Sequence, residues 1–193
     1  GLYYLTEKIE IAKDRIDLKD PLGVLVEVDN LHFSLETIYK SKWGENLVMK
    51  ESVNKDNEKL AMNDFLTTFN ELEIAIEAND YSKIRQLIDV ESFAKYYLLS
   101  EFTVNPDAYS TSWYLFKDGP NDKIHTGPGW DFDLALANKK WIWNINQDFF
   151  SPYRSRAREI EAFGGEYINE QNVLSFLEVN PTVSRLFYEL MRI

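Results

Sequence analysis

The chain has 193 residues, enough for one domain, or one and part of a second. Hydrophobic residues make up 45% and aromatics 15%, which supplies a core and excludes a disordered or low-complexity chain. Lys and Arg number 21 against 32 Asp and Glu, a net charge of −11, which argues against nucleic-acid binding through a phosphate-neutralising patch. The same charge makes any phosphate-bearing ligand dependent on a bridging divalent cation. The absence of cysteine excludes thiolate metal sites, thiol nucleophiles and a disulfide scaffold, and leaves the compartment open. No apolar run approaches the roughly 18 residues of a membrane-spanning helix. The chain opens on Gly1 rather than Met, in residues that already read as a strand, so a fragment or a chain shortened at its N-terminus is expected.

Three strand candidates come first: Leu2 to Ile9, Leu22 to Val28 and Asn46 to Lys50, all rich in β-branched and aromatic residues or set between turns. Lys19-Asp20-Pro21, Asp29-Asn30 and Trp43-Gly44 supply the turn chemistry. Met62, Phe65, Leu66, Phe69, Leu72 and Ile76 then fall on one helical face, predicting an amphipathic helix from about Asn57 to Asn79. Shorter helices are expected after Asp80 and Asp89 as N-caps, the second with Phe93, Tyr96, Tyr97 and Val104 on one side. Ser112 to Phe116 and Lys123 to Thr126 read as a hairpin around Asp118-Gly119-Pro120-Asn121. A polar, aromatic loop from Asn138 to about Tyr153 follows. A last helix starts at Asn180-Pro181, with Val183, Leu186, Phe187 and Leu190 on its face. Strands, helices, a hairpin and helices in that order make the fold class α+β.

Few catalytic classes survive this pattern. The two histidines, His32 and His125, are too few and too far apart for a zinc site, and each reads as an ordinary polar residue. No serine sits in a G-x-S-x-G elbow, and neither common phosphate loop is present. The acidic residues are more informative. Asp107 lies in a turn opened by Asn105-Pro106, and Asp131 follows 24 residues later, directly after the hairpin, within Trp130-Asp131-Phe132-Asp133. Phosphoryl transfer needs one carboxylate to orient or deprotonate the attacking hydroxyl and another to hold the metal that bridges the phosphates. Protein kinases place these groups on a catalytic loop and, beyond a hairpin, on D-F-G, with a further metal ligand five residues after the catalytic Asp. Here that fifth position is Ser112, a weaker oxygen ligand than an amide carbonyl, and Asp133 offers another oxygen. Strand alternation is expected to point Asp131 and Asp133 to one side, where their repulsion asks for a cation. Against this, an Asp after a Pro turn is most often a turn former.

The segments Gly1 to Lys8 (GLYYLTEK), Leu22 to Asp29 (LGVLVEVD), Phe93 to Asp107 (FAKYYLLSEFTVNPD) and Gly127 to Asp133 (GPGWDFD) resemble the spore coat protein CotH family of atypical protein kinases. The resemblance runs from residue 1 to about 140. It implies a divergent protein-kinase-like fold in a single partial domain, 1–193: mostly the C-terminal lobe with part of the N-terminal lobe, truncated at the N-terminus. It also implies transfer of the γ-phosphate of ATP to Ser on a protein substrate, with Mg²⁺ or Mn²⁺, in a spore coat or at a bacterial cell surface. Carried across, Asp107 becomes the catalytic residue. Asp131 becomes the metal- and nucleotide-binding Asp, with Asp133 and Ser112 as further metal candidates. Glu7 falls near the segment that joins the lobes and lines the adenine pocket. Ser112 departs from the Asn familiar in kinases. The phosphate-covering strands, nucleotide-contacting Lys and partner helix that precede G-x-Y-x-L-x-E in the family are expected to be missing. Lys50, in Leu47-Val48-Met49-Lys50, mimics a kinase strand lysine but follows Glu7 instead of preceding it.

The acidic balance suits a basic, Ser-rich protein substrate and no nucleic acid. Two other classes compete with the kinase. One is a non-catalytic kinase-like scaffold, of which Ser112 would be the first symptom. The other is a carbohydrate-active or carbohydrate-binding domain, in which Trp130, Trp141, Trp143 and Tyr153 stack on sugars beside an Asp pair.

Overall fold

The computed structural model describes residues 6–30, 36–103, 105, 108, 111–133 and 135. Its elements are β1 (Gly23–Val28), β2 (Ile38–Lys40), β3 (Asn46–Ser52), α1 (Glu58–Glu77), α2 (Tyr81–Leu87), α3 (Val90–Thr103), β4 (Trp113–Asp118) and β5 (His125–Thr126). The strands form one antiparallel sheet in the order β2-β3-β1-β4-β5, so the hairpin late in the sequence joins the strands of its first half. The architecture is α+β.

Central β1 is buried on both faces because both are covered. Val24, Val26 and Val28 pack with α1, α2 and α3 in the main core, around Phe65, Phe69, Phe93 and Trp113. Leu25 turns the other way, into a smaller cluster with Ile16, Leu18 and Tyr114. Trp113 is fully buried, edge-on to Phe93 with ring centroids 5.9 Å apart, and its indole N–H donates to Thr126 Oγ1 at 2.6 Å. The pairing of β1 with β3 slips between Leu25 and Val26, which face Glu51 and Met49, so Lys50 is the extra residue of a bulge.

The helices begin and end where the sequence signals say. The buried residues of α1 include Met62, Phe65, Phe69, Leu72 and Ile76, close to the predicted stripe. The helix closes on Asn79, left-handed at φ 52°, with the Asp80 N–H donating to the Ala75 carbonyl at 2.9 Å. The Asp80 carboxylate then accepts from Lys83 N at 3.0 Å to cap α2, and that of Asp89 accepts from Ser92 N at 3.2 Å at the start of α3.

Two groups of polar contacts fasten helix to sheet. The β2–β3 turn reaches α1 through Glu73, which accepts from Ser41 Oγ at 2.6 Å and Trp43 N at 3.0 Å. Burial pushes the Glu73 carboxyl up to about 7 despite these donors. On the other side of the sheet's centre, the buried ammonium of Lys117 meets Asp64 Oδ2 at 2.5 Å and the Gly119 carbonyl at 2.6 Å.

Some expectations are corrected. No strand runs through residues 6–9; this stretch lies against the second face of the sheet, with Ile9 and Ile11 packed on the Leu25–Tyr114 cluster. The sheet offers it no edge there, since β3 and β4 flank β1. The second arm of the hairpin shortens from Lys123–Thr126 to His125–Thr126, and β2 was not anticipated. Residues 2–5, His32, Val104, the 138–153 loop and the helix expected after Asn180 lie outside the described residues. Among those described, no helix is long and apolar enough to cross a membrane.

Candidate functional site

The site forms where three elements meet: the end of α3, the entry to β4 and the loop that leaves β5. Antiparallel pairing carries β5 back towards the start of β4, with Thr126 opposite Leu115, and the Gly127 N–H donates to the Tyr114 carbonyl at 3.0 Å. The loop then runs close to α3. A Cβ on Gly129 would stand 2.8 Å from Leu99 Cδ2, so glycine lets the backbone pass here.

Asp131 sits at the mouth of this loop with φ 58°, in the left-handed region that costs a non-glycine residue about 1 kcal/mol. Facing it is Ser112, also left-handed at φ 51°, whose Oγ donates to Asp131 Oδ2 at 3.0 Å. The side-chain amide of Asn105, itself 4% exposed, donates to the Asp131 carbonyl at 3.3 Å. One residue before Ser112, the Thr111 hydroxyl donates to Asp29 Oδ1 at 2.8 Å, fastening the entry of β4 to the exit of β1.

Two predicted partners of Asp131 are thus placed differently from each other. Ser112 is beside it. Asp133 is exposed in a turn, and the left-handed backbone at Asp131 breaks the strand alternation that was to align the two carboxylates. Asp107 lies outside the described residues. The oxygens of Asp131, Ser112 and Asp133 are hard donors at solvent-accessible positions, the kind that hold Mg²⁺ or Mn²⁺ with water completing the shell. They fit such an ion in kind, although no group of three metal-binding His, Cys, Asp or Glu side chains gathers among the described residues.

Glu7 lines a cleft of about 540 Å³ on the second face of the sheet. Ile9, Arg15, Phe116, Gly129 and Trp130 share its walls, so the peptide leading into Asp131 forms one side of it. The Glu7 carboxylate is mostly exposed and pairs with Arg15 at 3.0 Å; Arg15 also meets Glu10 at 3.1 Å. Trp130 packs partly on the Leu25–Tyr114 cluster. Trp141, Trp143 and Tyr153 of the sugar-stacking reading lie outside the described residues.

Lys50 is not among the residues lining this cleft. The bulge aims it at Glu27, 3.2 Å away, and Glu36, 2.8 Å away. Burial works against its charge, but these carboxylates outweigh it and hold the ammonium above the ordinary lysine value. Burial raises Glu27 in turn, Lys50 only partly opposing it. Burial first, then the charges of Glu27 and Glu36, push the Tyr114 phenol upward. His125 stacks on Phe116 with its nitrogens 3.4 Å from Asp89 and 3.3 Å from Asp122, a polar structural role.

The sequence model of the family described as CotH kinase protein matches residues 1–187. The chain belongs to the CotH kinase family. No curated protein and no solved structure matches it. At the level of the family this supports a kinase function, with a nucleotide, a divalent metal and a protein substrate as its general requirements. The sequence reading held Asn105 only as the opening of the turn before Pro106; its side-chain amide also reaches the carbonyl of a residue 26 positions away, which no local signal gives.

Proposed function

We propose that this CotH-family chain transfers the γ-phosphate of ATP to a serine hydroxyl of a protein substrate, on a divergent kinase-like fold of which residues 1–193 are one partial domain. The observation that carries this reading is continuity along the chain: Gly129 and Trp130 wall a nucleoside-sized cavity, and Asp131 follows them directly, just outside that wall. Glu7 stands at the same cavity and would meet the base end of the nucleotide, while Asp131 would hold the divalent cation that serves the phosphates. Ser112 holds the Asp131 carboxylate, and Asp133, exposed two residues on and not aligned with it, could add an oxygen only by turning towards the ion. A bound Mg²⁺ or Mn²⁺ would neutralise charge on the phosphate oxygens. Asp107 orients the substrate hydroxyl and accepts its proton. The bond from that oxygen to the γ-phosphorus forms, the bond to the β-bridging oxygen breaks, and ADP leaves.

The deciding experiment is transfer of labelled γ-phosphate from ATP by the whole protein that carries this chain, with Mg²⁺ and then Mn²⁺. The expected result is incorporation that is lost in both Asp131→Asn and Asp107→Asn, by about a thousandfold or more. Absence of both transfer and ATP binding would overturn the nucleotide reading and favour a carbohydrate ligand. A second reading has its own support, because Ser112, which donates a hydrogen bond to the Asp131 carboxylate, stands where kinases have an Asn. On that reading the chain is a kinase-like scaffold, and metal-dependent ATP binding without turnover is its signature. The net charge of −11 further favours a basic, Ser-rich substrate in a spore coat or at a cell surface. Phosphorylation of a basic peptide should then weaken as ionic strength rises; an unchanged rate removes that substrate class.

A further inference from the structure

The left-handed backbone of Asp131 needs a cause. An Asp tolerates that conformation better than most residues, yet it persists only where the surroundings over-determine it. Two contacts meet here from opposite ends of the residue. Ser112 Oγ holds the carboxylate, and Asn105 Nδ2 holds the main-chain carbonyl. The two are not equivalent. Ser112 is partly exposed, whereas Asn105 is 4% exposed, and its own N–H donates to the Ser100 carbonyl at 3.0 Å, tying it to the last turn of α3. A buried amide that lost its acceptor would stay desolvated, so this contact resists exchange with water more than the outer one does.

Asn105 also stands two residues before Asp107 in the chain. We propose that Asn105 is a positioning residue: by holding the Asp131 carbonyl from the end of α3, it fixes the backbone that aims the Asp131 carboxylate at the cation. The proposal rests on the assignment of Asp131 as a cation ligand. Without the amide, the Asp131 peptide relaxes towards ordinary φ values, and the carboxylate turns out of the position in which Ser112 holds it, although every ligand atom is still present.

The test is Mn²⁺ binding by the whole protein, read from the free-ion signal in electron paramagnetic resonance, for wild type, Asn105→Ala, Asn105→Asp and Asp131→Asn. Asn105→Asp keeps the volume of the side chain but not the donor, which guards against collapse of the alanine variant. Both position-105 variants should need about tenfold more Mn²⁺ for half-saturation, the scale of one lost hydrogen bond to an aiming group. Saturating Mn²⁺ should return their phosphate transfer to within about twofold of wild type. A purely structural role would instead lower the unfolding temperature and the folded fraction, leave the Mn²⁺ midpoint of the folded protein unmoved and give no rescue by excess metal. Unchanged Mn²⁺ affinity in a folded variant at this position overturns the inference while leaving the metal site standing. Wild-type binding that Asp131→Asn does not reduce overturns the metal site itself, and the role of Asn105 with it.

Discussion

The two faces of the sheet are built on different principles. On the helical face, Val24, Val26 and Val28 meet Phe65, Phe93 and Trp113 in a core of buried apolar side chains. Its charged contacts, Glu73 and Lys117, are capped by specific partners at its margins. The opposite face mixes Leu25, Tyr114 and Phe116 with Glu27 and Lys50, and is only partly roofed by residues 9–18, which leaves the cleft open. The lesson is a division of labour. The apolar face fixes strand positions to packing precision, and the other face uses that rigidity to hold polar groups at defined places. Ser112 shows the dependence most directly, because its neighbour Trp113 is anchored in the core.

Breaking the helical face should therefore have the largest effect. Trp113→Ala removes a fully buried ring and the partner of Thr126 Oγ1, and should cost about 4 kcal/mol. The check is the urea midpoint, which should fall with an unchanged slope. Mn²⁺ affinity of the fraction still folded should drop as well, since Ser112 loses its footing. A destabilisation below about 1 kcal/mol would mean that the core does not govern this strand.

Periodicity made the helical face legible in advance. The stripe from Met62 to Ile76, the Asp80 and Asp89 caps and the strand from Leu22 to Val28 are local signals, and local physics obeyed them. The candidate site was legible only in part. Asp131 stood out by its spacing from Asp107 and its place after a hairpin, and Ser112 by its offset. Asn105 stood out only as the opening of the turn before Pro106, because its contact with Asp131 runs from the end of α3 to a loop across the fold. The strand expected over Leu2 to Ile9 failed, through residues 6–9, for a related reason: its β-rich composition was real, but pairing depends on which edges the rest of the sheet leaves open. The alignment of Asp131 with Asp133 failed because alternation assumes extended backbone, and φ 58° is not extended.

Glu73 sharpens the comparison through pH. Its folded pKa, raised to about 7 by burial, lies above that of the unfolded chain. The folded state then binds more protons across the interval from about 4.5 to 7, so the stability that depends on Glu73 is full below that interval and lost as pH rises through it. Glu73→Gln keeps a neutral acceptor for Ser41 or Trp43 and removes the titration. Thermal unfolding at pH 5 and pH 8 should show wild type losing more stability than the variant over that span, by up to about 3 kcal/mol. Equal losses would mean that the β2–β3 turn admits water to this carboxylate.

The smallest expected effect falls on the second face, at Lys50, and it separates what that face does for stability from what it does for function. Lys50 pairs with Glu27 and Glu36 and lies off the cleft lining, so its charge is already spent. Lys50→Met should cost about 1 kcal/mol near neutral pH, because Glu27 is left beside Glu36 without its cation. That cost should shrink towards pH 5, where Glu27, already raised by burial, takes up a proton more readily. The KM for ATP should stay within about twofold of wild type, since no phosphate contact is removed. A KM raised tenfold or more with unfolding unchanged would give the opposite assignment: Lys50 would be a phosphate ligand held in reserve by its two carboxylates, and the polar half of this face would belong to the site rather than to its support.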